Sequence, residues 1–172
     1  MILKDLAGIN AVFLDVDGVL TDGTVQVNEL GEQLRTFSIK DGYALQLAVK
    51  QGLFVAIITG GNSLGVRKRL EGLGIDAVYM GVSNKLELLQ DLLEKHHFAA
   101  SEVLFMGDDI PDLSCMQAVG IAACPKDAVE EIKQVSSYIS PFKGGAGCVR
   151  DVLEKILKLQ GKWSVDTGLK SI

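Results

Sequence analysis

Five short apolar runs punctuate the chain, at Ala11–Leu14, Phe54–Ile58, Ala77–Met80, Val103–Met106 and Gly120–Ala123. Each is nearly continuous rather than alternating, the pattern of strands buried on both faces. Between them the apolar positions take helical spacing. Leu86, Leu89 and Leu93 fall on one stripe, and Gly42–Lys50, Ser63–Leu73 and Val149–Leu159 have the same character. Such alternation predicts an α/β protein, a Rossmann-like three-layer α/β/α domain with a parallel central sheet. One stretch breaks the rhythm. Thr24–Val27 and Gln33–Ile39 read as two strands around the turn Asn28-Glu29-Leu30-Gly31, so a β-hairpin over 24–39 is inserted directly after the first strand. Periodicity ends near residue 160. Residues 1–160 are therefore expected to form a single domain, and 161–172 a flexible C-terminal tail.

Composition narrows the function classes. The chain has 172 residues, 48% hydrophobic and 23% charged, enough for one ordinary core and too apolar for a disordered chain. The net charge of −5 comes without any basic run interleaved with aromatics, which argues against a nucleic-acid partner. No apolar stretch reaches the roughly 20 residues that cross a bilayer. The start of the chain lacks the basic-then-apolar pattern of an export signal, so a cytoplasmic location is expected. Three cysteines, Cys115, Cys124 and Cys148, make no paired metal-ligand spacing and are expected to be buried, reduced thiols. His96 and His97 are adjacent, a poor geometry for ligating one metal, and are assigned no chemistry.

In an open α/β sheet, ligands bind beyond the carboxyl ends of the strands. Asp15 and Asp17 follow the first run, Thr59-Gly60-Gly61 the second, and Gly107-Asp108-Asp109 the fourth. Gly18 stands where the chain must turn and admit an anion to its amides. Three carboxylates (Asp15, Asp17, Asp108) crowded at one edge call for a hard cation, and all-oxygen ligation selects magnesium. In such a site Asp15 is the candidate nucleophile and Asp17 the acid and base for the leaving alcohol and the incoming water. Thr59 and the Gly60 amides are placed to bind phosphoryl oxygens. Lys85, after Ser83-Asn84, offers a positive charge to both nucleophile and phosphate.

Together D-V-D-G-V-L-T-D, I-I-T-G, Lys85 and G-D-D-I-P-D resemble the four motifs of the haloacid dehalogenase superfamily of phosphohydrolases. The resemblance implies magnesium on the carboxylates of Asp15 and Asp108 and the main-chain carbonyl of Asp17, with Asp109 and Asp112 supporting the metal and Lys85. The short span from Thr59 to Lys85 leaves no room for a cap domain. Within the superfamily the chain is similar end to end to the 3-deoxy-D-manno-octulosonate 8-phosphate phosphatases, through T-D-G-T-V-Q-V-N-E-L-G-E-Q-L-R-T-F, S-I-K-D-G-Y, G-V-S-N-K-L and G-L-K-S-I. That likeness implies a sugar-phosphate substrate in lipopolysaccharide synthesis and a homotetramer built through the hairpins, with active sites at subunit interfaces. It places Ser38, Lys40, Asp41, Gly42, Gln46, Gly61 and Arg69 around the sugar, Arg69 suiting a sugar carboxylate, and makes Lys162, Trp163 and Lys170 contributors to a neighbouring site. Lys40, Gln46 and Gly61 stand where Arg is frequent in that family. Gly61 and Gly72 stand where phosphatases for nine-carbon sialic-acid-type sugars carry Glu and Lys, which favours the eight-carbon sugar. The alternatives are a nine-carbon 9-phosphate, a broad sugar-phosphate phosphatase, and a non-catalytic oligomerisation module. The complete set Asp15, Asp17, Thr59, Lys85 and Asp108 argues against the last.

Overall fold

The computed structural model describes residues 2–170 and 172, the side chains of residues 2–4 excepted. In chain order the elements are α1 (Ile2–Ala7), β1 (Ala11–Leu14), β2 (Gln26–Val27), β3 (Gln33–Leu34), α2 (Ile39–Lys50), β4 (Phe54–Ile58), α3 (Leu64–Gly72) and β5 (Ala77–Tyr79). They continue as α4 (Lys85–His96), β6 (Val103–Met106), α5 (Leu113–Gln117), β7 (Ile121–Cys124), α6 (Glu130–Val135), β8 (Tyr138–Ile139) and α7 (Cys148–Leu159). Six strands form one parallel sheet in the order β5-β4-β1-β6-β7-β8, and β2 and β3 pair antiparallel beside it.

The apolar runs are continuous because the sheet is covered twice. Val12 and Leu14 of β1 face one core with residues of α2, α3 and α7, while Ala11 and Phe13 face the other with residues of α4, α5 and α6. Helix starts are set by side chains. Ser38 caps α2 by accepting from the Asp41 amide, Ser63 caps α3 through Val66, and Asn84 caps α4 through Glu87. The expected three layers and hairpin are therefore present.

Several boundaries differ. The hairpin strands are two residues each, and Ile39, expected in a strand, is the first residue of α2, because the Ser38 cap begins the helix there. The third run ends at Tyr79, and the fifth is shifted by one residue to Ile121–Cys124. Helices α1, α5 and α6 and the edge strand β8 were not anticipated. They are two to six residues long, too short to display a period. The segment after α7 lies along α2: the rings of Trp163 and Tyr43 meet edge-on, Arg150 stacks over both, and Gln46 Nε2 donates to the Lys170 carbonyl.

Candidate active site

The strand order sets β4, β1 and β6 side by side, so Thr59, Asp15 and Asp108 leave the sheet at one edge. The loop after Asp15 is held from within. The buried Thr21 hydroxyl donates to the Val16 carbonyl and accepts from the amides of Gly18 and Gly23. Gly18 has a φ of +93°, and a Cβ there would lie 1.9 Å from Asp108 Oδ2. Only glycine lets the Asp108 carboxylate close over the loop. A second clamp comes from far along the chain. The Gly145 amide donates to the Val19 carbonyl at 3.0 Å, and a Cβ on Gly144 would lie 1.9 Å from the Gly18 carbonyl oxygen.

Lys85, the first residue of α4, turns back into this mouth. Its Nζ donates to Asp15 Oδ1 at 2.8 Å and to Asp112 Oδ1 at 2.7 Å. Asp112 Oδ2 in turn accepts from the Asp108 amide at 3.1 Å. Carboxylate oxygens of Asp15, Asp108 and Asp112 all lie within 4.8 Å of one another. The charge imbalance displaces the carboxyl groups from their ordinary range. Burial, then the Asp112 charge, pushes Asp15 up to about 6 against the pull of Lys85. Burial, then the charges of Asp15, Asp112 and Asp109, pushes Asp108 up to about 7. For Lys85 burial acts to lower the pKa, but the two carboxylates more than reverse it and hold the ammonium charged. Asp108 Oδ1 is buried without a hydrogen-bond partner among the described residues. A hard divalent cation fits this donor set: three clustered carboxylates, one of them with an orphaned oxygen.

The expected site residues fall into two groups. Asp15, Asp17, Thr59, Gly60, Gly61, Lys85, Asp108, Asp109 and Asp112 line one open cavity of about 320 Å³. Within it Thr59 Oγ1 accepts from the Gly61 amide at 3.2 Å, leaving the hydroxyl proton to donate. Asp109 accepts from the Ile110 amide and caps the next turn, and Asp112 accepts directly from Lys85. The remaining residues lie elsewhere. Ser38 caps α2 and Gln46 holds the C-terminal segment. Lys40 lines a separate cavity of about 640 Å³ along α7. Asp41, 1% exposed, accepts from the amides of Gly147 and Arg150, so it is a helix cap rather than a sugar contact. Gly42 and Arg69 do meet: a Cβ on Gly42 would lie 2.9 Å from an Arg69 terminal nitrogen.

Two participants were missed from sequence. The Gly144-Gly145 clamp had no local signal. Arg35 reaches from the hairpin to Asp17, with Nε donating to Oδ1 at 2.6 Å and a terminal nitrogen to Oδ2 at 3.0 Å. The alternation through 33–37 was a usable signal, since it sets Arg35 on the side of Phe37, which packs on the core.

Known proteins carry the same plan. Residues 78–151 match the family described as haloacid dehalogenase-like hydrolase. The chain is 38% identical over 161 residues to the 3-deoxy-D-manno-octulosonate 8-phosphate phosphatase of Escherichia coli, covering 94% of this chain and 86% of that one. It belongs to that phosphatase family. Among solved members, the Moraxella catarrhalis enzyme in complex with magnesium ion, phosphate ion and a KDO molecule superposes with a TM-score of 0.90, at 36% identity over 93% of this chain and 92% of that one. The cobalt-bound Haemophilus influenzae phosphatase gives 0.87 at 31% identity, covering 91% of this chain and 92% of that one. Family membership accounts for the absence of a cap between Thr59 and Lys85, where only α3 and β5 intervene.

Proposed function

We propose that the protein is a magnesium-dependent phosphatase that hydrolyses 3-deoxy-D-manno-octulosonate 8-phosphate to the free sugar and phosphate, serving lipopolysaccharide synthesis in the cytoplasm. The observation that carries this is the mouth itself, where a buried Asp15 is gripped by Lys85 beside an Asp108 oxygen with no partner among the described residues. Lys85 engages Oδ1 of Asp15, leaving the other oxygen to attack phosphorus. That Asp15–phosphorus bond forms as the bond to the sugar oxygen breaks, and Asp17 gives the leaving oxygen its proton. Asp17 then takes a proton from the water that attacks the aspartyl phosphate, releasing phosphate and restoring Asp15. The Thr59 hydroxyl and Lys85 ammonium bind phosphoryl oxygens throughout. Asp15, Asp108 and the Asp17 carbonyl hold the magnesium, which when bound supplies the positive charge that lets an anionic nucleophile meet an anionic phosphate.

Arg69 supports recognition of the sugar carboxylate: its Nε is buried without a partner among the described residues, and a guanidinium holds a carboxylate by two parallel bonds. The exposed apolar side chains of Val25, Val27, Leu30 and Leu34 support assembly into a homotetramer through the hairpins. Cys115, Cys124 and Cys148, all free and buried, suit a reducing compartment. Phosphate release from the eight-carbon 8-phosphate, compared with a nine-carbon 9-phosphate and a panel of simple sugar phosphates, tests the substrate. Preference for the eight-carbon ester, lost by more than about a thousandfold in Asp15→Asn, is expected. Equal turnover of the nine-carbon ester overturns the substrate, and activity surviving in Asp15→Asn overturns the mechanism.

A further inference from the structure

Arg35 is unlike its neighbours in the hairpin. Leu34 and Thr36 are exposed, whereas the Arg35 side chain is only 8% exposed and crosses to the end of β1. Its two bonds to Asp17, from Nε at 2.6 Å and a terminal nitrogen at 3.0 Å, form the parallel fork that a guanidinium offers a carboxylate. The Asp17 carboxylate makes no other hydrogen bond among the described residues. The Gln33 carbonyl accepts from the far side of the guanidinium at 3.4 Å, so the fork is held at both ends. Gly61 leaves the space open. A Cβ there would lie 3.6 Å from the Arg35 terminal nitrogen and 3.5 Å from Asp17 Oδ2, so residue 61 stands in direct contact with the pair.

The pair answers a problem built into the mouth. Asp17 lines the cavity with four other carboxylates, Asp15, Asp108, Asp109 and Asp112, and its side chain is 35% exposed. A carboxylate this exposed needs a fixed partner to stay aimed at the bond to be broken, and Arg35 supplies both of its hydrogen bonds among the described residues. We propose that Arg35 is a positioning residue for the phosphatase reaction, its guanidinium fixing the Asp17 carboxylate at the cavity mouth beside Gly61. This rests on the reading of Asp17 as the group that serves the leaving oxygen: the fork holds its ionised, base form, and in the acid form one oxygen carries the proton while Arg35 keeps a bond to the other. A group held in place from the hairpin contributes through geometry, and a displacement of about 1 Å in a catalytic group can cost on the order of 10²-fold.

The test is a double-mutant cycle on the magnesium-loaded enzyme, with octulosonate 8-phosphate as substrate and thermal melting as a check on folding. Arg35→Met is expected to lower kcat by about 10- to 100-fold with KM within about threefold. Arg35→Lys recovers part of the loss, since an ammonium supplies charge without the fork. In an Asp17→Asn background, Arg35→Met causes no further loss, because its effect passes through the carboxylate. An unchanged kcat, a raised KM at constant kcat, or equal losses in both backgrounds overturns the proposal. Should Arg35→Met fail to fold, Arg35→Gln in the two backgrounds gives the same comparison. Full activity in Asp17→Asn would instead sink the reaction reading, a separate failure.

Discussion

The molecule buries carboxylates in two places and treats them differently. Along the seam between α2 and α7, Asp41 accepts from two backbone amides at the start of α7. Asp151 nearby accepts from the hydroxyls of Tyr138 and Ser140 and pairs with Lys155. Both carboxylates there are met by donors from within the chain. At the strand ends, the Lys85 ammonium donates to Asp15 and Asp112, and an oxygen of Asp108 has no partner among the described residues. Burial costs both regions the hydration of their charges. The seam offsets part of that cost within the chain, Asp41 still standing above the usual carboxylate range; the mouth leaves it to a cation and a substrate. A buried acid with complete partners holds the fold together, and one without them awaits a ligand.

Substitutions that neutralise one acid in each region separate the two roles, and the largest expected effect is at the mouth. Asp108→Asn should lower turnover by at least about a hundredfold, because the cation loses a carboxylate worth several kcal/mol in the transition state. The same change should raise the melting temperature of the metal-free protein at neutral pH, since it removes a like charge and breaks no ion pair. Kinetics and thermal denaturation on one preparation check both. A variant that loses activity and melts lower would place Asp108 among the structural acids.

Asp41→Ala is the mirror image. It strands two amides at the start of α7 and should destabilise the protein by about 1–3 kcal/mol, a fall of roughly 3–10 °C in Tm. Its kcat and KM should remain within about threefold of the parent, because the side chain lies inside the α2–α7 contact. A large rise in KM without loss of stability would return Asp41 to the sugar pocket.

That contrast also explains what the sequence disclosed. The sheet was legible because β1, β4 and β6 are buried on both faces and so are written in unbroken apolar residues. The catalytic acids were legible because they sit at the ends of those strands, where topology alone brings Asp15, Thr59 and Asp108 together. Asp41 was misplaced because a carboxylate one turn into a helix looks the same whether it meets a sugar or the end of another helix. Its partners, Gly147 and Arg150, lie more than 100 residues away. Gly144 and Gly145 escaped notice for the same reason: their requirement for glycine comes from the distant Gly18 loop pressed against them. Contacts between elements remote in sequence have no local period, and the rim of the site is made of such contacts.

The smallest effect is a pH drift, and its sign follows from the raised carboxylates. Asp15 stands at about 6 and Asp108 at about 7 in the folded protein, against about 3.9 for an unfolded aspartate. Between those limits the folded, metal-free chain holds protons that the unfolded chain has released. Stability therefore falls as pH rises from about 4 to about 7 and levels off above that window. Melting at pH 5 and pH 7.5 without divalent cations should show the lower Tm at the higher pH. Asp41, also raised by burial, contributes in the same direction, so the slope alone does not isolate the mouth. Magnesium does. It binds the ionised carboxylates, stabilises more at pH 7.5 than at pH 5, and at a hundred times its dissociation constant adds about 2.7 kcal/mol. Saturating magnesium should flatten or reverse the drift in the parent, while in Asp108→Asn the metal-free slope should already be shallower. A drift indifferent to magnesium would move its source from the strand ends to the α2–α7 seam.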